Sequence, residues 1–290
     1  MTKVSLYVPC YNVEKFISRC IEGILNQTYP VDEILIIDDG SKDKTVEIAS
    51  QYPVRIIKHE VNKGLSAGRN TGWQNARNEL VASLDADCVA DSHWLENLVA
   101  TIEENSQIAL VGGRLVEIVQ ESIADRWRKV HMTQDWGDLR VDNPTFIYGN
   151  NNVIRKSAVE KIAGYDEKLR TNGEDVDISS RLSEKGYKLV YQPSAIVSHL
   201  RQDNLPSILD TYWRYWRYGI KMYWERIRVK DIAYNTYFIF YRTIFLTCFN
   251  RDKQQKNYDL LWIDAVLFFY LVYRSFKLLV EHNYLGKKLR

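Results

Sequence analysis

The chain has 290 residues, of which 46% are hydrophobic and 26% are charged, a composition that excludes a disordered protein and supplies a buried core. Its four cysteines lie far apart and include no CxxC pair, which matches neither a disulfide framework nor a structural zinc site. The cysteine pattern therefore favours a reducing compartment.

The N-terminal segment runs directly into a strand-like sequence. Residues 1–9 read MTKVSLYVP, without the basic start and long apolar run of a secretory signal. We therefore expect a cytoplasmic protein.

Short apolar runs alternate with helical patterns through the first hundred residues. We predict strands at 4–8, 34–37, 54–57 and 80–84, and helices at 16–25, 45–51, 66–76 and 94–103. This rhythm indicates βαβ units around a parallel sheet, so the fold class is α/β. Ligands bind such sheets at the carboxyl ends of the strands.

The middle of the chain is less regular and indicates that a mixed sheet completes the α/β core. Strands are predicted at 110–116, 145–154, 188–191 and 195–198, and helices at 157–162 and 176–184. From residue 204 onward the pattern is helical. We place a domain boundary near residue 203.

Two carboxylates separated by one residue follow the fourth predicted strand. Asp85 and Asp87 lie at the ligand edge of the sheet, and carboxylate oxygens suit Mg²⁺ or Mn²⁺ held together with substrate phosphates. The alternative is helix capping before Trp94, but Asp91 or Ser92 could serve that purpose. The position of Asp85 and Asp87 at the ligand edge of the sheet therefore favours a metal site over helix capping.

Two further loops could contact a nucleotide. Asp39 lies in the DDGS turn at 38–41, where a carboxylate can accept from a base or a ribose; an ordinary strand-to-helix turn would look the same. The glycine-rich segment 62–72 carries Lys63 and Arg69, cations that suit phosphate. It fits neither GxGxxG nor GxxxxGK, which disfavours a dehydrogenase or a P-loop enzyme.

An acidic pair opens a predicted helix whose apolar positions are Val176, Ile178 and Leu182. One carboxylate of the pair Glu174 and Asp175 could be a catalytic base. Alternatively, the pair could serve only to compensate the helix dipole. His199 follows the last predicted strand; a lone histidine is more often structural than a ligand.

Six motifs occur in the order and approximate spacing of family 2 glycosyltransferases with the GT-A fold. They are PCYN at 9–12, DDGS at 38–41, GRN at 68–70, DAD at 85–87, GYDE at 164–167 and GED at 173–175. The chain resembles that family over about residues 3–200. The resemblance implies an inverting enzyme that transfers a sugar from a nucleotide diphosphate sugar, in the first place a UDP-sugar, to a hydroxyl acceptor on a glycan or a lipid-linked molecule.

The resemblance also implies roles for individual residues. Pro9, Tyr11 and Asp39 would bind the nucleoside, Arg69 would contact the donor, and Asp85 would touch the ribose or the metal. Asp87 would hold Mn²⁺ or Mg²⁺, with His199 reaching the metal or the diphosphate. Asp175 would be the base that deprotonates the acceptor, with Glu174 supporting it. The QxxRW element of processive synthases is not found after Asp175, so we expect one sugar per encounter.

The last ninety residues differ in surface chemistry from the rest. Residues 1–200 have a net charge of −6 and residues 201–290 a net charge of +8, and the latter hold 22 of the 36 aromatic residues. Aromatic and cationic residues interleave in one stretch: Trp213, Arg214, Trp216, Arg217, Lys221, Trp224, Arg226 and Arg228.

Charged residues interrupt the apolar runs of the C-terminal region, so we expect interfacial helices on the inner face of the cell membrane, with a homo-oligomer interface as the alternative. The acidic half disfavours nucleic-acid binding.

Two other functions compete with a glycosyltransferase. A nucleotidyltransferase would also use a parallel sheet and an Asp-held metal, but its glycine-rich loop should lie near the N-terminus. A noncatalytic nucleotide-sugar-binding module would not need Asp85, Asp87 and Asp175 together.

Overall fold

The computed structural model describes residues 1–219 and 235–285. The strands are β1 Val4–Cys10, β2 Glu33–Asp38, β3 Arg55–Lys58, β4 Leu80–Leu84, β5 Cys88–Ala90, β6 Ile108–Glu117, β7 Val141–Asp142, β8 Asn151–Arg155 and β9 Lys188–His199. The α-helices are α1 Ile17–Leu25, α2 Thr45–Ala49, α3 Leu65–Asn75, α4 Trp94–Glu103, α5 Ile123–His131, α6 Lys156–Lys161, α7 Glu174–Glu184, α8 Leu205–Gly219, α9 Asn250–Gln255 and α10 Leu261–Leu285. A π-helix, Asn235–Phe249, runs directly into α9.

The chain divides into two compact units. The N-terminal unit contains residues 1–118 and 133–201, and the C-terminal unit contains residues 119–132 and 202–290. The sequence placed all of residues 1–203 in one domain, whereas the structure puts 119–132 in the C-terminal unit. The physical reason is α5, which was not predicted and whose Ala124 and Trp127 join the buried cluster of that unit.

Within the described residues, nine strands of the N-terminal unit form one mixed sheet. The order is β3-β2-β1-β4-β8-β6-β9-β5, with β7 paired to β9. The first four are parallel neighbours, as βαβ units require, whereas β8 runs antiparallel to both β4 and β6. The α/β fold class and the mixed sheet are confirmed.

Helices cover both faces of this sheet because its central strands are apolar on both sides. In β1, Leu6 and Val8 face one buried cluster, to which α1 contributes Ile17 and Ile21. Tyr7 faces the other cluster, with Trp73 of α3 among its members. Tyr7 also packs closely on α3, since a Cβ added at Gly72 would lie 2.4 Å from its ring.

Two stretches of the sheet differ from the sequence prediction. The strands expected at 188–191 and 195–198 are one strand, β9, whose pairing with β6 shifts register between Gly113 and Arg114. Such an irregularity accommodates Pro193, which lacks the N–H that a regular ladder needs.

The strand expected at 145–154 begins only at Asn151. Before that point two backbone carbonyls accept hydrogen bonds from side chains. Trp136 donates to the carbonyl of Phe146, and Arg69 donates to that of Gly149.

The C-terminal unit has its own apolar core. Trp127 of α5, Trp213 of α8 and Ile263 of α10 are at most 1% exposed and belong to one cluster. Four residues of the interleaved aromatic and cationic stretch lie outside the described residues: Lys221, Trp224, Arg226 and Arg228. In the described part of the chain, no helix combines the length and the apolar character needed to cross a membrane.

Candidate active site

The carboxyl ends of β1, β2 and β4 bring three of the sequence motifs to one edge of the sheet. Cys10 pairs with Asp38 in the parallel register, and the amide of Asp39 donates to the carbonyl of Cys10 at 2.8 Å. The loops after β1 and β2 are joined side by side, because the Asn12 amide donates to Ser41 Oγ at 2.9 Å. Tyr11, in the first loop, is 49% exposed, and Pro9 is half-buried.

Asp39 is buried and fixed by its neighbours. Its Oδ1 accepts from the amide of Lys63 and its Oδ2 from the amide of Gly64, both at 2.8 Å, and His59 Nδ1 lies 2.7 Å from Oδ1. Gly64 has a φ of 102°, a conformation that glycine adopts without steric cost. The side chain therefore organises the loop that leads into α3, with its carboxylate at the edge where β2 ends.

Arg69 is a buried cation on α3, only 1% exposed. Its Nη2 lies 3.2 Å from Asp85 Oδ1, its Nε lies 3.6 Å from Glu174 Oε1, and it also donates to Ser83 Oγ and the Gly149 carbonyl. Burial lowers the pKa of the guanidinium, but the two carboxylates outweigh burial and raise it. These contacts connect the end of β4 to the start of α7.

His199 links Asp87 to a further carboxylate that the sequence did not reveal. Its Nε2 lies 3.2 Å from Asp87 Oδ2, and its Nδ1 lies 2.9 Å from Oε2 of Glu117, which is 6% exposed. The strand registers produce this arrangement, because His199 of β9 pairs with Cys88 of β5 and with Glu117 of β6. The one available signal was an acidic residue ending an apolar strand.

The two partners of this ion pair have opposite pKa shifts with a shared cause. Burial lowers the pKa of His199, but Asp87 and Glu117 outweigh burial and raise the pKa to about 9. For Asp87, burial raises the pKa, but the His199 charge outweighs burial and lowers the pKa to about 2. Asp87 is thus ionised at neutral pH.

Asp85 has a different environment from Asp87, although one residue separates them. Burial, opposed by the charge of Arg69 and assisted by that of Asp87, raises its pKa to about 6. Its amide donates to the carbonyl of Asn150 at 2.8 Å, which anchors the loop to the segment before β8. About 29% of the side chain is exposed, so its carboxylate reaches the surface of the site.

The acidic pair at the start of α7 lies on the same edge. Glu174 is 4% exposed, and burial together with neighbouring Asp175 raises its pKa to about 7. Asp175 is half-buried; its Oδ1 accepts from the Val176 amide at 2.9 Å and its Oδ2 from the Gly149 amide at 3.4 Å. Burial raises the pKa of Asp175 as well. Ile178 and Leu182 face the core as predicted, whereas Val176 is 47% exposed.

The donor set around Asp87 fits a divalent metal. One ligand atom each from Asp87, Cys88 and His199 lies within a cluster no wider than 4.8 Å. An ionised carboxylate is a ligand for Mn²⁺ or Mg²⁺, and an imidazole beside it is accepted more readily by a transition metal than by Mg²⁺, which prefers oxygen ligands. The imidazole must lose its proton to bind a metal, so a cation would replace the proton that His199 holds in the ion pair.

The structure thus brings most of the predicted site residues to one edge of the sheet. Asp85, Asp87, Glu174, Asp175 and His199 lie around it. Arg69 is present too, but it contacts protein carboxylates and presents almost no surface. Its expected contact with the donor stays a prediction, and the structure adds a role in holding Asp85 and Glu174 in place.

The model of the family described as "Glycosyl transferase family 2" matches residues 5–163. The chain belongs to glycosyl transferase family 2. Glycosyltransferase AglE of Haloferax volcanii is 30% identical over 209 residues, which cover 68% of this chain and 66% of that protein. A pre-mycofactocin glycosyltransferase of Mycobacterium tuberculosis is 31% identical over 205 residues, covering 68% of this chain and 42% of that protein. The matched part thus spans less than two thirds of either relative.

Solved structures confirm the GT-A fold. The mannosyltransferase PcManGT of Pyrobaculum calidifontis, solved in complex with GDP-Man and Mn²⁺, superposes with a TM-score of 0.62 at 15% identity. The match covers 98% of this chain and 88% of that one. At 15% identity this likeness establishes only the fold of the chain. GDP-Man and Mn²⁺ are ligands of the mannosyltransferase.

The ion pair of His199 predicts a pH-dependent stability. Its pKa rises from 6.5 to about 9 on folding, so the stabilisation is fully present below pH 6.5 and is lost as the pH rises toward 9. Thermal unfolding in EDTA should show this loss, on the order of 3 kcal/mol at most. His199→Gln should remove the dependence. His93→Gln, at a side chain that is 61% exposed, is the control and should keep it; an equal slope in both variants would contradict the assignment.

Proposed function

We propose that this chain is an inverting, metal-dependent glycosyltransferase that moves one sugar from a nucleotide diphosphate sugar to a hydroxyl acceptor in polysaccharide or glycan synthesis. One observation carries the proposal. An ionised Asp87 beside His199 and a half-buried Asp175 lie at the same sheet edge, with Asp85 and Glu174 held between them by Arg69. A metal site and a base are the two elements that direct displacement needs.

The nucleoside end of the donor would lie over the loops after β1 and β2. Tyr11 offers a half-exposed ring for stacking, and Pro9 lies beside it in the chain. Asp39 is already fixed by two backbone amides, so little side-chain entropy would be lost when it accepts a hydrogen bond from a base. A UDP-sugar is the first donor to test.

The diphosphate would lie over Asp87, with Asp85 at the ribose or the metal. Asp87 and His199 would hold Mn²⁺ or Mg²⁺, which when bound would neutralise charge that develops on the leaving diphosphate. Glu117 would keep the imidazole oriented through Nδ1, leaving Nε2 toward Asp87. An outer partner of this kind fixes which histidine nitrogen is free to bind.

Asp175 would take the proton of the attacking hydroxyl. Hydrogen bonds from the amides of Gly149 and Val176 orient its carboxylate, and burial raises its pKa, which makes it a better base than an ordinary Asp at neutral pH. Glu174, buried beside Arg69, would hold the start of α7 in position. Attack opposite the leaving group gives a β-linkage from an α-linked donor.

Reaction products separate this proposal from its competitors. A glycosyltransferase releases a nucleoside diphosphate from the donor, whereas a nucleotidyltransferase releases pyrophosphate. A noncatalytic module would bind the donor and release neither. Incubation with a panel of nucleotide sugars and hydroxyl acceptors therefore decides among the three.

Asp87→Ala should abolish metal-dependent donor binding, because it removes the ionised ligand of the cation. We expect donor affinity with Mn²⁺ to fall by roughly 10²-fold, and the difference between Mn²⁺ and EDTA to disappear in calorimetric titrations. Asp138→Ala changes an Asp whose side chain is 83% exposed and should behave as the parent. Unchanged donor affinity in Asp87→Ala would refute the metal assignment.

Asp175→Asn should keep donor affinity and lose about 10²- to 10⁴-fold in turnover, because the amide retains the shape but cannot accept the proton. Asp177→Asn is the matched control: it lies in the same helical turn, where Asp177 pairs with Arg181. Donor affinity, melting temperature and transfer rate should be measured on the same preparations. If Asp175→Asn transfers sugar at nearly the parental rate, Glu174 becomes the candidate base.

We further propose that the C-terminal unit attaches the enzyme to the inner face of the cell membrane. Helix α10 presents one exposed apolar face, formed by Phe269, Tyr273, Phe276 and Val280, each more than half exposed. Lys277 is exposed beside it. Aromatic rings next to cations suit the headgroup region of an anionic bilayer.

The full-length protein should float with anionic liposomes at low salt and less with added salt, because the surface charges are then screened. The double variant Phe269→Ser, Phe276→Ser should float poorly while its melting temperature stays close to that of the parent. Tyr258→Ser alters a residue that is 61% exposed but lies outside α10, and should float normally. A parent that stays unbound but forms dimers disrupted by the double variant would make this face an oligomer interface.

A further inference from the structure

A second cluster of possible metal ligands lies in the C-terminal unit. His131 ends α5, Asp252 lies on α9 and Asp264 on α10. One ligand atom from each lies within 4.8 Å of the other two. The side chains are buried: His131 is 1% exposed, and both carboxylates are 0% exposed.

The surrounding contacts satisfy only one oxygen of each carboxylate. Trp127 Nε1 donates to Asp264 Oδ1 at 2.8 Å, and His131 Nε2 lies 3.0 Å from Asp252 Oδ1. The second oxygens, Oδ2 of Asp252 and Oδ2 of Asp264, are buried without a hydrogen-bond partner. Among the residues whose side chains the structure describes (1–216, 241–278 and 280), no lysine or arginine forms an ion pair with either carboxylate.

Such an arrangement is costly unless something positive lies between the carboxylates. A buried carboxylate without compensation loses several kcal/mol of hydration free energy, and two of them also repel each other. Either a shared proton or a bound cation removes this cost. A shared proton would involve only the two carboxylates, whereas a cation would also use the imidazole of His131, whose Nε2 lies 3.0 Å from Asp252 Oδ1; imidazole and carboxylate together form a ligand set for a transition metal.

We propose that His131, Asp252 and Asp264 bind a divalent transition metal of the Zn²⁺ class, at a site separate from the donor site. The mixed imidazole and carboxylate set suits Zn²⁺ better than Mg²⁺ or Ca²⁺, which prefer oxygen ligands alone. Trp127 then acts as an outer partner that orients the Asp264 carboxylate and leaves Oδ2 for the ion.

The ion would join three helices that are distant in sequence. Helix α5 lies about 120 residues before α9 in the chain, and its Ala124 and Trp127 pack in the apolar core of the C-terminal unit. A metal coordinated from α5, α9 and α10 would add binding free energy to the folded state only, and so would stabilise this unit.

The test uses the full-length chain carrying Asp87→Ala, so that the donor site contributes no metal. After dialysis against Zn²⁺ and then against buffer, elemental analysis should find about one equivalent of Zn²⁺ per chain, and chelation should lower the melting temperature. Substitution with Co²⁺ should give visible absorption typical of nitrogen and oxygen ligands. Mg²⁺ at the same concentration should not raise the melting temperature.

Asp264→Asn, added to this background, should lose the Zn²⁺ and the melting shift. Asp259→Asn, at an exposed Asp paired with Arg126 in the same unit, should retain both. Circular dichroism checks folding, and His131→Gln replaces Asp264→Asn if the latter does not fold. Full Zn²⁺ retention by Asp264→Asn or His131→Gln overturns the proposal, as does a parent that binds no Zn²⁺ and shows no shift; the carboxylates then share a proton.

Discussion

The candidate active site depends on a positive charge that has been removed from water. Arg69 is almost completely buried, and a guanidinium in that position is tolerated only when carboxylates and carbonyls surround it. Asp85 and Glu174 supply the charge, and Gly149 supplies a carbonyl. The end of β4, the start of α7 and the segment before β8 must therefore meet at one point, which is where the donor and the acceptor would react.

A second buried cation, His199, separates the roles of neighbouring carboxylates. It keeps Asp87 ionised, with a pKa of about 2, whereas burial raises the pKa of Asp85 to about 6 and that of Glu174 to about 7. Asp85 and Asp87, whose carboxyl groups have the same intrinsic acidity, thus differ by several powers of ten in proton affinity. When the environments of two carboxyl groups shift their pKa values in opposite directions, one site can hold an ionised metal ligand beside a base.

The sequence predicted what depends on local pattern and missed what depends on strand register or distant partners. The parallel strands and the position of Asp85 and Asp87 at their carboxyl ends followed from apolar periodicity; that Asp175 lies with them was implied by the family resemblance, and the structure brings the three to one edge. Glu117 was missed because only the pairing of β6 with β9 brings it to His199. Helix α5 was missed although Ser122 and Asp125 form a capping box at its N-terminus; its membership of the C-terminal unit depends on residues more than seventy positions later.

The same electrostatic constraint gives different results in the two units. In the N-terminal unit Asp85 and Glu174 lie beside Arg69, and Asp87 and Glu117 lie beside His199, so the protein itself compensates their charges. In the C-terminal unit Asp252 and Asp264 share a single histidine. Asp252 and Asp264 are 0% exposed, whereas the side chains of Asp85 and Asp87 are 29% and 28% exposed, so desolvation costs more in the second cluster, and a positive charge from outside the chain would offset that cost. A proton can supply it without ordering His131, whereas a metal uses all three side chains at once.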